Sequence, residues 1–91
     1  MSSQKIIVES LAMDLKRAAL GLYRGSFAMA DRFEEEALKR ESELENQEID
    51  SYLKNLLKKT REILSSQNVG RADDILMYST LFQNFALKRM V

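Results

Sequence analysis

The number of helices in this chain depends on residues 21–30, which read GLYRGSFAMA. Gly25 can take the left-handed conformation that ends a helix, and Ser26 can cap the helix that follows. The chain has no proline and only three glycines, so its helices should be long, and each interior glycine should cost roughly 1 kcal/mol. We therefore favour a turn at this point, which gives a fold of four helices.

A second interpretation treats the first half of the chain as one uninterrupted helix. Large apolar residues recur there every eleven positions, a spacing that stays in phase along a nearly straight helix. They are Leu11, Leu22, Phe33 and Leu44. The glycines would then mark places where another helix approaches closely. This alternative gives three helices, the first of about 40 residues and roughly 60 Å, and needs a dimer to cover its exposed half.

Apolar residues at steps of three and four predict a helix that starts near Ser3 and a second one after Ser26. The same pattern predicts a third helix over about 48–66 and a fourth over about 72–90. Helices of similar length joined by short connections are typical of antiparallel bundles. The predicted fold is all-α, an antiparallel (up-down) bundle of four helices that forms a single domain over residues 1–91.

The composition of the 91 residues argues against several classes of protein. Cysteine and histidine are both absent, which excludes disulfides, thiolate zinc sites, a cysteine nucleophile and imidazole acid–base catalysis. No other arrangement of side chains indicates a nucleophile with a base, so we expect no enzyme, no cofactor and no metal. The longest apolar runs have three or four residues, far fewer than the roughly 20 that cross a membrane. A cytoplasmic location is the default expectation.

Acidic and basic residues number 14 each, but they are unevenly distributed. Residues 31–50 carry nine acids against three bases, whereas 51–71 carry five bases against one acid. The simplest explanation is that the two segments lie antiparallel and neutralise each other. The pattern of the acidic segment is typical of a solvated helix surface rather than a metal site. Its glutamates are Glu34, Glu35, Glu36, Glu41, Glu43, Glu45 and Glu48.

A basic stripe on the third predicted helix supports an alternative function. Lys54, Lys58 and Arg61 share one helical face, and Lys59 is adjacent to it. Such a stripe could contact nucleic-acid phosphates, although three or four bases would bind weakly and no aromatic residue is interleaved to stack on bases. A small nucleic-acid-binding regulator is therefore the second functional hypothesis.

The last predicted helix carries more apolar residues than a one-sided helix needs. Nine of the thirteen residues over 75–87 are apolar and cover more than half of the helix circumference. A helix of a four-helix bundle is not surrounded on all sides, so the excess should contact a partner. The alternative is that this segment is simply the central core helix of a monomer. We expect a protein interaction or regulatory module that forms a homodimer, or binds another protein, through this helix. The expected interface residues are Tyr78, Leu81, Phe82 and Phe85.

Overall fold

A computed structural model describes residues 3–68 and 70–90 of the chain. The described residues form four α-helices joined by short connections, and they contain no strand. The helices are α1 (Ser3–Tyr23), α2 (Phe27–Glu45), α3 (Ser51–Ser66) and α4 (Arg71–Arg89). Successive helices run in opposite directions, so the predicted all-α antiparallel bundle of four helices is confirmed.

The turn between α1 and α2 is a Schellman motif centred on Gly25, whose φ is +72°. The Ser26 amide donates to the Gly21 carbonyl over 2.8 Å, and the Gly25 amide donates to the Leu22 carbonyl over 3.2 Å. The interpretation as one long N-terminal helix is therefore wrong. Ser26 precedes α2 as expected, but its side chain makes no capping hydrogen bond. Its carbonyl accepts the first hydrogen bond of the helix, from the Ala30 amide.

Gly21 has the role that the long-helix interpretation gave to both glycines. A Cβ atom added to Gly21 would lie 2.9 Å from the backbone nitrogen of Ala30. Only a residue without a side chain lets the start of α2 approach α1 so closely. One glycine thus makes the turn and the other permits the contact beside it.

The remaining helix ends follow local capping chemistry. The Asp50 carboxylate accepts a hydrogen bond from the Tyr52 amide over 2.7 Å, so α3 begins at Ser51 and not near residue 48 as predicted. Gln67 takes the left-handed conformation that ends α3. The last helix begins with two aspartates and ends with two bases in its terminal turns, as the helix dipole favours.

The four helices are not equally close to one another. α1 packs along both α2 and α4, whereas α3 packs more loosely against α2 and α4 and lies diagonally opposite α1. The distance between helices depends on the side chains at their contact. Small buried residues bring α1 close to its neighbours, while α3 contributes mainly leucines. The small residues are Ala12, Ala18 and Ala19 on α1, Ala30 and Ala37 on α2, and Ala72, Ser79 and Ala86 on α4.

Large apolar side chains from all four helices form the core. Its fully buried members are Val8, Leu11, Leu15, Leu44, Leu53, Leu57, Ile75 and Phe82. Most of the apolar residues that recur at steps of three and four lie in or against this core. Phe27, the first residue of α2, does not, since it is 64% exposed.

Candidate interaction surfaces

The four residues of the interface predicted on α4 are buried to different extents. Phe82 is fully buried and Phe85 nearly so, and both belong to the core of the chain itself. Tyr78 and Leu81 are partly buried against the same core. The two phenylalanines therefore pack against the chain's own helices and present almost no exposed surface in this fold. The helical pattern alone could not show this, because α4 contacts α1 on one side and α3 on the other.

Phe85 helps to join the end of α4 to the beginning of α3. Its ring stacks on Tyr52 with centroids 5.8 Å apart. The Arg89 guanidinium lies 5.3 Å from the Phe85 centroid and also pairs with Asp50 at 3.1 Å. These contacts are all made within one chain, and they stabilise the packing of α3 against α4.

Exposed apolar residues instead occupy the outer face of α1. Ile6 and Met13 are 65% and 49% exposed, and Leu20, seven residues further on, is half-buried. A spacing of seven residues places all three on one stripe, which is the pattern of a helix–helix seam. This stripe is separate from the buried stripe that holds α1 in the bundle. We call Ile6, Met13 and Leu20 the outer α1 stripe.

A shallow groove between α1 and α4 adjoins the outer α1 stripe. Ala12 and Ser79 form its floor, and the Ser79 hydroxyl donates to the Ala12 carbonyl over 2.9 Å. Leu87, which is 57% exposed, borders the groove from α4 opposite Met13. The groove has a volume of about 180 Å³, which leaves room for a side chain from a neighbouring molecule.

The α1 wall of this groove carries one free charge of each sign. Glu9 and Lys16 both line the groove, and neither has an ion-pair partner within 4 Å in the described part of the chain. The adjacent Arg17 is different, because its guanidinium pairs with Asp14 at 3.8 Å and lies 5.5 Å from the Phe33 ring centroid. Two free, opposite charges thus flank Met13 at about two helical turns from each other.

The four residues of the predicted nucleic-acid contact do not form one surface. Lys54, Lys58 and Arg61 line a groove beside α3, whereas Lys59 lines a second groove between α3 and α4. Arg61 is already paired, since its Nη2 lies 2.7 Å from Glu45. The acidic and basic helices therefore neutralise each other in part, as the sequence indicated.

The prediction that the acidic segment is a solvated surface is wrong for two of its glutamates. Glu34 is buried and forms an ion pair of 3.0 Å with the buried Arg71 at the start of α4. Glu41 is fully buried, and neither of its carboxylate oxygens has a hydrogen-bond partner. Both lie on the inner face of α2, where the bundle excludes water.

Burial raises the pKa of the Glu41 carboxyl from its usual 4.5 to about 8. The Arg61 Nε lies 3.7 Å from Oε2 and lowers the pKa, but this attraction is too weak to offset the loss of solvent. The neighbouring Glu45 raises the pKa further. Glu41 therefore retains its proton at neutral pH.

No three acidic side chains come together as potential metal ligands among residues 3–68 and 70–90. Within the same ranges, no helix has both the length and the apolar character needed to cross a bilayer. Comparison with protein-family models, curated proteins and solved structures finds no match to this chain.

Proposed function

We propose that this protein is a non-enzymatic interaction module that self-associates, and that a second copy docks on the outer face of α1 beside α4. The outer α1 stripe carries this proposal. Ile6 and Met13 expose apolar surface although α1 already packs against two neighbouring helices. Apolar residues at heptad spacing on a free helix face favour contact with another helix.

The charges around the outer α1 stripe make it complementary to itself. If two copies of α1 meet antiparallel across a two-fold axis at Met13, Ile6 of each copy lies opposite Leu20 of the other. Glu9 then lies opposite Lys16 of the second copy, and the symmetry repeats this pair. A two-fold contact requires such a self-complementary surface, and α1 supplies one along its exposed face.

The α4 side of the groove extends this contact. Leu87 adds exposed apolar surface next to Met13, and the floor of Ala12 and Ser79 is low enough to admit a side chain from the second copy. The C-terminal helix thus takes part in the proposed interface through its outer edge. Its buried phenylalanines contribute indirectly by fixing α4 against α1.

Charge exchange tests the proposed pairing. We expect Glu9→Lys to weaken self-association about tenfold, because two attractive pairs become repulsive and each is worth up to about 1 kcal/mol. Lys16→Glu should have a similar effect, and the double exchange should restore association. Sedimentation velocity over a range of protein concentrations measures the dissociation constants.

Glu35→Lys is the matched control, since Glu35 is an exposed glutamate on α2 without an ion-pair partner in the described residues. It should leave association unchanged. Equal association of the wild type and both single variants would contradict the pairing, as would a double exchange as weak as either single variant.

The alternative function, nucleic-acid binding through the basic residues of α3, has less support. Of the bases that line the groove beside α3, Lys54 and Lys58 have no carboxylate partner among residues 3–68 and 70–90, and Glu45 and Glu62 line the same groove. Two lysines can contact only one or two phosphates of a nucleic-acid backbone, which is too few for more than weak binding.

A further inference from the structure

The groove beside α3 lies on the opposite side of the bundle from the proposed self-association face. Ile49 and Leu57 give it an apolar floor, and its volume is about 530 Å³. It exists because α2 and α3 approach each other less closely than α1 approaches its neighbours. Arg61 of α3 bridges this gap to Glu45, so the charge of Glu45 on the α2 wall of the groove is already neutralised.

The α3 wall of the groove carries two bases without acidic partners. Lys54 and Lys58 are one helical turn apart, and neither has a carboxylate within 4 Å among residues 3–68 and 70–90. Like charges at this spacing repel each other on a helix. An anion held between the two ammonium groups would relieve that repulsion. The unpaired Glu62 lies at the rim that this groove shares with the groove between α3 and α4.

We propose that this groove binds a small anionic amphiphile, with an aliphatic chain on Ile49 and Leu57 and a carboxylate or phosphate head between Lys54 and Lys58. An apolar floor with a few charged groups at its edge is the usual composition of a small-molecule site, and the volume lies within the usual range of roughly 300 to 1,000 Å³. The two free ammonium groups beside the apolar floor favour an occupant that carries an anionic head next to an apolar chain.

Dodecanoate is the probe, titrated into the full chain by calorimetry below the concentration at which it forms micelles. We expect saturable binding of one dodecanoate per chain. Dodecyltrimethylammonium, which has the same chain and the opposite charge, should bind at least tenfold more weakly. Inorganic phosphate, which has no apolar chain, should not bind measurably.

Two variants locate the site. Lys54→Gln combined with Lys58→Gln should weaken dodecanoate binding at least tenfold, whereas Lys59→Gln, in the neighbouring groove, should leave it unchanged. Circular dichroism checks that both variants keep the helix content of the wild type. The lysines are exposed, so their replacement should not disturb the fold.

The proposal is overturned if dodecanoate shows no saturable binding or if the cationic amphiphile binds equally well. Equal loss of binding in both variants, or phosphate binding as tight as dodecanoate binding, would also overturn it. Attachment to anionic phospholipid vesicles without binding of dispersed dodecanoate would indicate a membrane surface as the partner and contradict a small ligand.

Discussion

Glu41 is a fully buried carboxyl group whose two oxygens accept no hydrogen bond, and burial raises its pKa from 4.5 to about 8. In the unfolded chain this group loses its proton near pH 4.5, whereas in the folded chain it keeps the proton until about pH 8. Between these values the folded state binds more protons than the unfolded state. The ionisation of Glu41 therefore leaves the free energy of unfolding unchanged below pH 4.5 and lowers it as the pH rises to about 8.

Glu41→Gln should remove this dependence. We expect the variant and the wild type to unfold with similar free energies at the acidic end of the window. As the pH rises, the free energy of unfolding of the variant should exceed that of the wild type by up to about 1.4 kcal/mol more per pH unit. Urea unfolding at several pH values between 4.5 and 8 measures it. Glu35→Gln, an exposed control on the same helix, should follow the wild type, and a difference for Glu41→Gln that does not vary with pH would contradict the account.

The three glycines should respond differently to alanine. Gly21→Ala should destabilise the fold by about 1 to 3 kcal/mol, because the new Cβ would overlap the backbone of Ala30. Gly25→Ala should cost about 1 to 2 kcal/mol through its left-handed backbone alone, since nothing lies within 4 Å of the added atom. Thermal unfolding measures both changes.

Gly70→Ala is the control for both variants. The nearest atom to its added Cβ lies 3.8 Å away, and its φ of −83° suits any residue. Gly70 is also the N-cap of α4, where glycine is preferred to alanine, so the two effects oppose each other and alanine should change the stability by no more than about 0.5 kcal/mol. If Gly21→Ala proved as harmless as Gly70→Ala, the close approach of α1 and α2 would be wrong.

The burial of the two glutamates was partly predictable from sequence. Ala30, Glu34, Ala37, Glu41 and Leu44 follow one another at steps of four and three, so the glutamates share a face with apolar residues. What the sequence cannot supply is their partners. Arg71 and Arg61 come from other helices, and only the tertiary arrangement brings them to α2.

Among the helices, α4 shows that an apolar pattern predicts a helix but not which neighbour covers each of its sides. The sequence predicted the four helices, the turn at Gly25 and a C-terminal helix with apolar residues on most of its sides. It could not assign those sides, because contacts with α1 and α3 cover different parts of α4. The aromatic residues expected at an interface pack inside, and Met77 and Leu87 remain outside.

Replacement of α4 residues by alanine tests this assignment. Phe82→Ala should lower the free energy of unfolding by about 3 to 5 kcal/mol, because the ring is fully buried and its loss leaves a cavity. Met77→Ala should change it by no more than about 0.5 kcal/mol, since Met77 is 49% exposed. Urea unfolding gives both values, and equal losses would contradict the orientation of α4.

The whole molecule has two distinct sides. Small residues draw α1 against α2 and α4, and the tightly packed side carries the outer α1 stripe on its surface. The leucines of α3 leave a wider gap beside α2, and the groove with its free lysines lies there. The sequence predicts association through the aromatic residues of α4, whereas the exposed apolar residues of the fold lead us to propose the outer face of α1.

The solution mass of the wild type and of Met13→Glu, measured by light scattering across a concentration series, tests self-association most directly. We predict that the wild-type mass rises toward that of two chains, whereas Met13→Glu, which places two like charges together at the two-fold axis, keeps the mass of one chain. Met77→Glu, at an equally exposed position outside the outer α1 stripe, should behave as the wild type. A wild-type mass of one chain at every concentration, or association of Met13→Glu equal to that of the wild type, would contradict the account.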